Sequence, residues 1–224
     1  DIKALTSYEG NIWCISNDSI LTYNAESGKL DFRLKTNLRN ITRLFVKNDQ
    51  ECWIGTRNGL YTTTADGQIR CLLPDLWIHS IYQSSKHEMW VSTWTEGLFR
   101  AASGEALHKV AYAPGTSLGI ASKQVRNIIE DHVGNIWFGT FDGLQKYNTF
   151  TGEYSLYQND YLPGGLSHSS VYALYTDNRG TVWVGTYFGG VNYFSPENDM
   201  FRFYPYGQGN TGSLSFPVVG NMVE

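Results

Sequence analysis

One sentence of sequence is written five times along this chain, and that repetition limits the fold more than any other feature. Its clearest copy is VRNIIEDHVGNIWFGTFDGLQKYN, from Val125 to Asn148. Beneath it align IKALTSYEGNIWCISNDSILTYN from Ile2, ITRLFVKNDQECWIGTRNGLYTTT from Ile41, IHSIYQSSKHEMWVSTWTEGLFRA from Ile78 and VYALYTDNRGTVWVGTYFGGVNYF from Val171. The central tryptophans, Trp13, Trp53, Trp90, Trp137 and Trp183, are separated by 40, 37, 47 and 46 residues. Periods of roughly 20–50 residues belong to solenoids, propellers and arrays.

Each copy has a local physical reading. Val125 to Glu130 is a short run rich in β-branched residues, and Asp131-His132-Val133-Gly134 has the Asp and Gly of a β-turn. Ile136-Trp137-Phe138 is then apolar at three consecutive positions, which a strand tolerates only when both its faces are covered by protein. Phe141-Asp142-Gly143 turns the chain, and Leu144 to Asn148 with Glu153 to Gln158 makes a further hairpin across Thr149 to Gly152. The unit is four antiparallel strands. Repeated radially, such units cover one another's faces, so the chain is expected to be an all-β protein, a β-propeller of four-stranded antiparallel blades with about five blades present. No window sustains a 3.6-residue apolar period, which excludes a solenoid of helix pairs. Aromatic residues at 15% and charged residues at 17% suit a chain with many covered sheet faces.

The shared wording, D-x-x-G-x-[IV]-W-[IVF]-G-T-x-x-G-[LV] followed by an aromatic strand, closely resembles the two-component regulator propeller repeat. Asp131 to Leu144 and Asp177 to Val191 carry it almost whole. Glu51 to Leu60 and Glu88 to Leu98 keep the Trp and the Gly-Leu but lose the turn Asp and Gly, and Asn11 to Leu21 loses the Gly-Thr. The resemblance implies the periplasmic sensor region of a bacterial hybrid two-component regulator, responding to an oligosaccharide and signalling to a histidine kinase elsewhere in the full chain. It implies no catalysis in this region. Two alternatives stay open: a lyase resembling the streptogramin lyases, with a His and metal-binding acids near the axis, and a non-catalytic platform for protein partners. Propellers of the family usually close with seven blades, so residues 1–224, with repeats starting near 2, 41, 78, 125 and 171, are expected to be a fragment of a longer receptor. Phe216 to Glu224 reads as the first strand of a sixth repeat. Other blades, other domains of the receptor or a second copy of the chain would cover the exposed faces of repeats 1 and 5.

The remaining letters restrict function further. A net charge of −4 without a Lys or Arg run gives no electrostatic footprint for nucleic acid or an anionic membrane. No apolar segment approaches the roughly 18 residues of a membrane span, and Asp1 opens directly in the first repeat, so a processed or trimmed start is expected. Cys14, Cys52 and Cys71 lack C-x-x-C spacing; Cys14 and Cys52 flank core tryptophans and read as inert core thiols, with a disulfide left open. Gly115 to Gly119 spells G-x-S-x-G without the strand before and helix after that a nucleophile elbow needs. Gly207 to Gly212 spells G-x-G-x-x-G with no helix to hold a pyrophosphate. His79, His87, His108, His132 and His168 have no ligand spacing, so neither a metal nor a cofactor is implied. Asp131 and Asp177 are similar to the Asp-box of sialidases, but their turn role suffices. Gly55, Gly139 and Gly185, with Ser92 and Ser16 in the same slot, are expected to allow close backbone approach near the axis.

The candidate ligand site lies where the repeats differ. On a propeller the hairpin between the second and third strands and the connection into the next blade open on one face. The hairpin positions are Arg57 and Asn58, Trp94 and Glu96, Phe141 and Asp142, and Tyr187 and Phe188, with Trp77, Arg126 and His168 near the neighbouring connections. Exposed aromatics beside Asn, Asp and Arg suit a sugar, whose apolar ring face stacks while its hydroxyls take directional hydrogen bonds.

Overall fold

The computed structural model describes residues 2–160, 164–195, 200–207, 213–214, 216–220 and 222. These hold twenty strands and no helix, in five four-stranded sheets. Blade 1 is β1 (Ile2–Tyr8), β2 (Asn11–Ser16), β3 (Ser19–Asn24) and β4 (Lys29–Lys35); blade 2 is β5 (Ile41–Asn48), β6 (Glu51–Thr56), β7 (Gly59–Thr63) and β8 (Ile69–Pro74). Blade 3 is β9 (Ile78–Gln83), β10 (Met89–Thr93), β11 (Leu98–Ala101) and the short β12 (His108–Lys109). Blade 4 is β13 (Val125–Glu130), β14 (Ile136–Thr140), β15 (Gly143–Tyr147) and β16 (Tyr154–Tyr157); blade 5 is β17 (Val171–Thr176), β18 (Val182–Thr186), β19 (Val191–Ser195) and β20 (Met200–Tyr204). The contacts gather into two compact units, residues 1–81 and 82–224, and β9 runs over the division. The turn at Pro196 to Asp199, most of the G-x-G-x-x-G stretch and part of the supposed sixth strand lie outside the described residues.

The apolar triplet on β14 does what its pattern requires. Successive side chains of a strand point to opposite faces. Ile136 and Phe138 enter a cluster with Trp90, Leu98, Val125 and Ile128, while Trp137 between them enters a second with Val182, Val184, Phe194 and Phe201. Two tryptophans thus reach the next blade: Trp90 lies 5.4 Å from the Phe138 ring, and Trp137 lies 5.4 Å from Phe194. In the first unit Trp13, Ile15 and Ile20 pack with Leu44, Val46, Cys52 and Ile54 in the same manner. A buried ring of this size removes about 150–250 Å² from water, an upper estimate of about 4–6 kcal/mol each. Cys14 and Cys52 are buried free thiols, and burial pushes Cys52 up to about 11, so it is a poor nucleophile; Cys71 is exposed and also free.

The small residue two places after each tryptophan has a definite neighbour. A Cβ on Gly55 would stand 2.7 Å from Ile78 Cγ2, on Gly139 2.8 Å from Val171 Cγ1, and on Gly185 2.9 Å from Val219. For Gly55 and Gly139 the approach is therefore to the β-branched residue that opens the next first strand, chiefly its side chain, where backbone was expected, and for Gly185 it is to Val219, which lies outside any strand. Blade 1 departs from the expectation in another way. Ala4 pairs with Ile15 as Asn127 pairs with Gly139, so the slot belongs to fully buried Ile15, and Ser16 is one residue beyond it.

The turn aspartates hold more than the turn. Asp131 Oδ1 accepts the backbone N–H groups of Val133 (3.1 Å) and Asn135 (2.8 Å), and its Oδ2 accepts the Trp137 indole N–H at 2.8 Å. Asp177 repeats this with Arg179, Thr181 and, at 2.8 Å, Trp183. Where the Asp is missing, other residues serve the indole. Glu51 accepts from Trp53 at 2.9 Å, while Arg33 and Arg100 lie over the rings of Trp13 and Trp90 at 5.1 and 4.9 Å. The indole nitrogens of Trp13 and Trp90 are buried without a hydrogen-bond partner among the described residues. In those two blades a cation–π contact holds the ring without giving its N–H an acceptor.

The connection after blade 5 copies the one before blade 4. Tyr112 bridges Ile120, with Ala113 N–H donating to the Ile120 carbonyl and Ile120 N–H to Ala111; Tyr206 bridges Leu214, with Gly207 donating to Leu214 and Leu214 to Pro205. In this register Val219 corresponds to Val125, the first residue of β13.

Two outcomes test these packing assignments. Gly139→Ala is expected to destabilise the protein by about 1–3 kcal/mol through overpacking, lowering the melting temperature by several degrees, and Val171→Ala should recover part of that loss in the double variant. For Asp177, desolvation alone raises the carboxyl pKa but is outweighed by hydrogen bonds from Trp183, Thr181 and Arg179, so the folded value is lowered. A depressed folded pKa contributes stability above the unfolded value of about 3.9 and loses it as pH falls through the lower folded one. Denaturation of wild type and Asp177→Asn should accordingly differ at neutral pH, the difference shrinking from about pH 4 downward and vanishing below the lowered folded value.

Candidate functional site

The Gly-Thr-x-x-Gly of repeats 2, 4 and 5 builds a hairpin whose two middle residues carry little of the frame's duty. The threonine hydroxyl closes the loop, Thr56 onto the Gly59 carbonyl (2.9 Å), Thr140 onto Gly143 (2.7 Å) and Thr186 onto Gly190 (2.9 Å). The same oxygens accept N–H groups from within the hairpin, Asn58 on Thr56 and Asp142 on Thr140. The first middle residue then ties the hairpin to the entry of its own blade: Arg57 N–H donates to Asn40 O (3.0 Å), Phe141 to Gln124 (3.1 Å) and Tyr187 to Ser170 (2.9 Å). Backbone supplies these bonds, so the side chains are left for other work. Hairpins and connections therefore do share one end of each blade.

In the second unit this end carries a cluster of aromatic rings around an arginine. Arg126 and Tyr172 occupy corresponding bulges at the starts of β13 and β17. The Arg126 guanidinium lies over the rings of Phe141 (5.2 Å) and Tyr172 (5.3 Å) and donates to Ser170 Oγ (2.9 Å) and the Val171 carbonyl (3.0 Å). Desolvation lowers its pKa, with Tyr172, Tyr187 and Asp142 acting in the opposite sense. Tyr172 continues to Tyr187 (6.0 Å), Tyr187 to Phe188 (4.4 Å) and Phe188 to His168 (5.8 Å). Phe141, Tyr172, Tyr187 and Phe188 remain 50%, 40%, 40% and 60% exposed, so the cluster is an open platform and not a core.

Of the expected site residues, Phe141, Tyr187 and Phe188 are brought together with His168. Asp142 lies beside them but gives its carboxylate to the Ser122 hydroxyl at 2.7 Å. Trp94 and Glu96 sit on the hairpin of blade 3, where the hydrogen bond and charge of Lys109, 2.6 Å away, hold the Glu96 carboxyl below its usual range. Arg57 and Asn58 belong to the first unit, where Arg57 lies over the Trp77 ring at 4.9 Å. Arg126, expected near a connection, is the second residue of β13, buried and bound to Ser170 in the connection into blade 5. Tyr172 was not singled out by sequence, although it holds the same repeat position as Arg126. Ser117 of the G-x-S-x-G stretch lies in an exposed loop, its carbonyl accepting the Tyr154 N–H. Among the described residues no group of three or more His, Cys, Asp or Glu comes together as a metal site would need.

The family model of the two component regulator propeller matches residues 119–142 and 165–188, the connections and first two strands of blades 4 and 5. Those two stretches are repeats of that type, as their wording implies. None of the curated proteins matches the sequence. In structure the chain is similar to the extracellular domain of a hybrid two component system from B. thetaiotaomicron, at 20% identity and a TM-score of 0.75, over 98% of this chain and 30% of that one. A second such domain from the same organism gives 17% and 0.70, over 97% and 30%. Virginiamycin B lyase from Staphylococcus aureus gives 14% and 0.67, over 94% and 72%. At these identities the likeness is one of fold, the β-propeller. The chain spans 30% of the length of the extracellular domains it matches.

If Arg126 anchors the platform as its contacts indicate, Arg126→Gln should cost about 1–3 kcal/mol in urea denaturation through the lost bonds to Ser170 and Val171. It should also alter the near-ultraviolet circular dichroism of the surrounding tyrosines; an unchanged spectrum would separate the rings from the arginine.

Proposed function

We propose that this chain is part of the ligand-binding sensor region of a bacterial hybrid two-component regulator, held in the periplasm, where it responds to an oligosaccharide. The observation that carries the reading is the platform of Phe141, Tyr172, Tyr187 and Phe188, with four rings left partly exposed at the end of the blades where the repeats differ. Rings of this kind offer flat apolar faces to the C–H faces of a sugar, and half-exposed aromatics grouped on a rigid sheet end cost little to order on binding. The binding signal would pass to a histidine kinase in the remainder of the receptor.

Several features support a place within a longer receptor. Val219 stands against Gly185 as Val171 stands against Gly139, the position at which a further blade opens. The face of blade 5 beside it holds an open apolar cavity of about 440 Å³ lined by Trp183, Val191, Tyr204 and Leu214 among others. In blade 4 the corresponding Trp137 is covered by blade 5. Ile2, Leu5, Leu30 and Phe32 of blade 1 are likewise exposed, at 60%, 62%, 59% and 63%. Such apolar faces call for further blades or a second copy.

The test is calorimetry of the complete receptor ectodomain against a panel of oligosaccharides, with turnover followed in parallel. Saturable binding without turnover is expected, weakened about tenfold or more by Tyr187→Ala and by Trp94→Ala at unchanged melting temperature. Unchanged affinity in both variants would assign the two rings to packing, and metal-dependent turnover would favour a lyase.

A further inference from the structure

The hairpin end of the first unit holds a cavity of about 520 Å³ lined by Lys3, Asn17, Asp18, Arg39 and Asn40 among others. Asn17 and Asp18 are the hairpin residues of blade 1, in the positions that Arg57 and Asn58 take in blade 2, while Arg39 and Asn40 belong to the connection into blade 2. This volume falls within the roughly 300–1,000 Å³ of small-molecule sites. Arg39 brings a positive group, and Asp18, the acid among the described lining residues, already has Lys35 at 3.5 Å. Asn17 and Asn40 are fixed in the left-handed region, at φ of 57° and 54°, and each carries an amide that can both donate and accept.

Arg57 stands next to this cavity, because its backbone N–H is bound to the Asn40 carbonyl. Its side chain is exposed, with Cζ 4.9 Å over the Trp77 ring, which is itself 37% exposed. The guanidinium donates to no acceptor and joins no ion pair among the described residues. A guanidinium laid on an aromatic ring is oriented in advance, and its planar fork of N–H groups matches the two oxygens of a carboxylate. Asp75, in the connection that leads to Trp77, is the nearby acid, and it lies outside ion-pair distance of Arg57.

Resting on the oligosaccharide reading above, we propose that this end of the first unit is a subsite for an acidic saccharide. A uronic acid carboxylate meets the cations Arg39 and Arg57, the amides of Asn17 and Asn40 take hydroxyls, and Trp77 offers an apolar edge to the sugar ring. Asp18 is paired with Lys35, whereas Arg57 is presented to solvent. That difference favours an anion over a neutral or cationic ligand.

The experiment compares trigalacturonate with neutral α-1,4-galactotriose by titration calorimetry on the full chain, with wild type, Arg39→Gln, Arg57→Gln and Tyr187→Ala. Trigalacturonate is expected to bind at least about tenfold more tightly, and each arginine variant to remove most of that preference at an unchanged melting temperature. Equal affinities, both lowered by Tyr187→Ala, would overturn the acidic subsite and leave the oligosaccharide reading standing. A preference that survives in the Arg39→Gln/Arg57→Gln double variant would also overturn it, by placing the selecting charge elsewhere. Failure of both trisaccharides to bind would overturn the subsite, while the wider panel decides the sensor reading separately.

Discussion

The structure depends on a tryptophan that its own sheet cannot cover. On the second strand of a blade, Trp90 and Trp137 face outward onto the next blade's Phe138 and Phe194, while their strand neighbours face the other way. A strand with both faces apolar has no stable existence in a lone sheet, so the copies must stack. The small residue two places on follows from the same contact, since it admits the β-branched residue that opens the next blade. The Asp six residues before the tryptophan does so as well, because an indole driven into a core brings an N–H that needs an acceptor.

The blade was legible in the sequence wherever one physical cause fixed one letter. Period-two alternation, the apolar triplet at Ile136 to Phe138 and the turns at Gly134 and Gly152 located β13 to β16 to within a residue or two. Reading failed where several letters can satisfy one need. Glu51 replaces the turn Asp from a different position, so that copy looked like a loss when it was a substitution, whereas Trp13 and Trp90 keep only an arginine over the ring. Ile15 was missed because a one-residue slip in a strand exchanges its faces, and the missing Gly-Thr of the first copy left no marker to fix the register.

The site was legible as a place more than as a set of contacts. That variation would gather at the hairpins agrees with the Thr hydroxyl and the backbone taking most of the structural bonds there. Which side chains would meet did not follow. Arg126 and Tyr172 sit on first strands whose bulges turn one residue toward the hairpin end, and a bulge leaves no sequence signature of its own. The outcome is a separation of duties within each repeat: one end and the interior hold the frame, and the other end presents rings and charges that the frame orients without consuming.

That separation is the central claim, and perturbation mapping by NMR tests it most directly. With backbone and aromatic resonances assigned, a saccharide that binds is predicted to shift signals of Arg57 and Trp77 or of Arg126, Phe141, Tyr172, Tyr187 and Phe188. The turns at the opposite end, Asp131 to Asn135 and Asp177 to Thr181, are predicted to stay unmoved. Shifts concentrated in those turns, or spread evenly along the strands, would contradict the assignment of binding to the hairpin end.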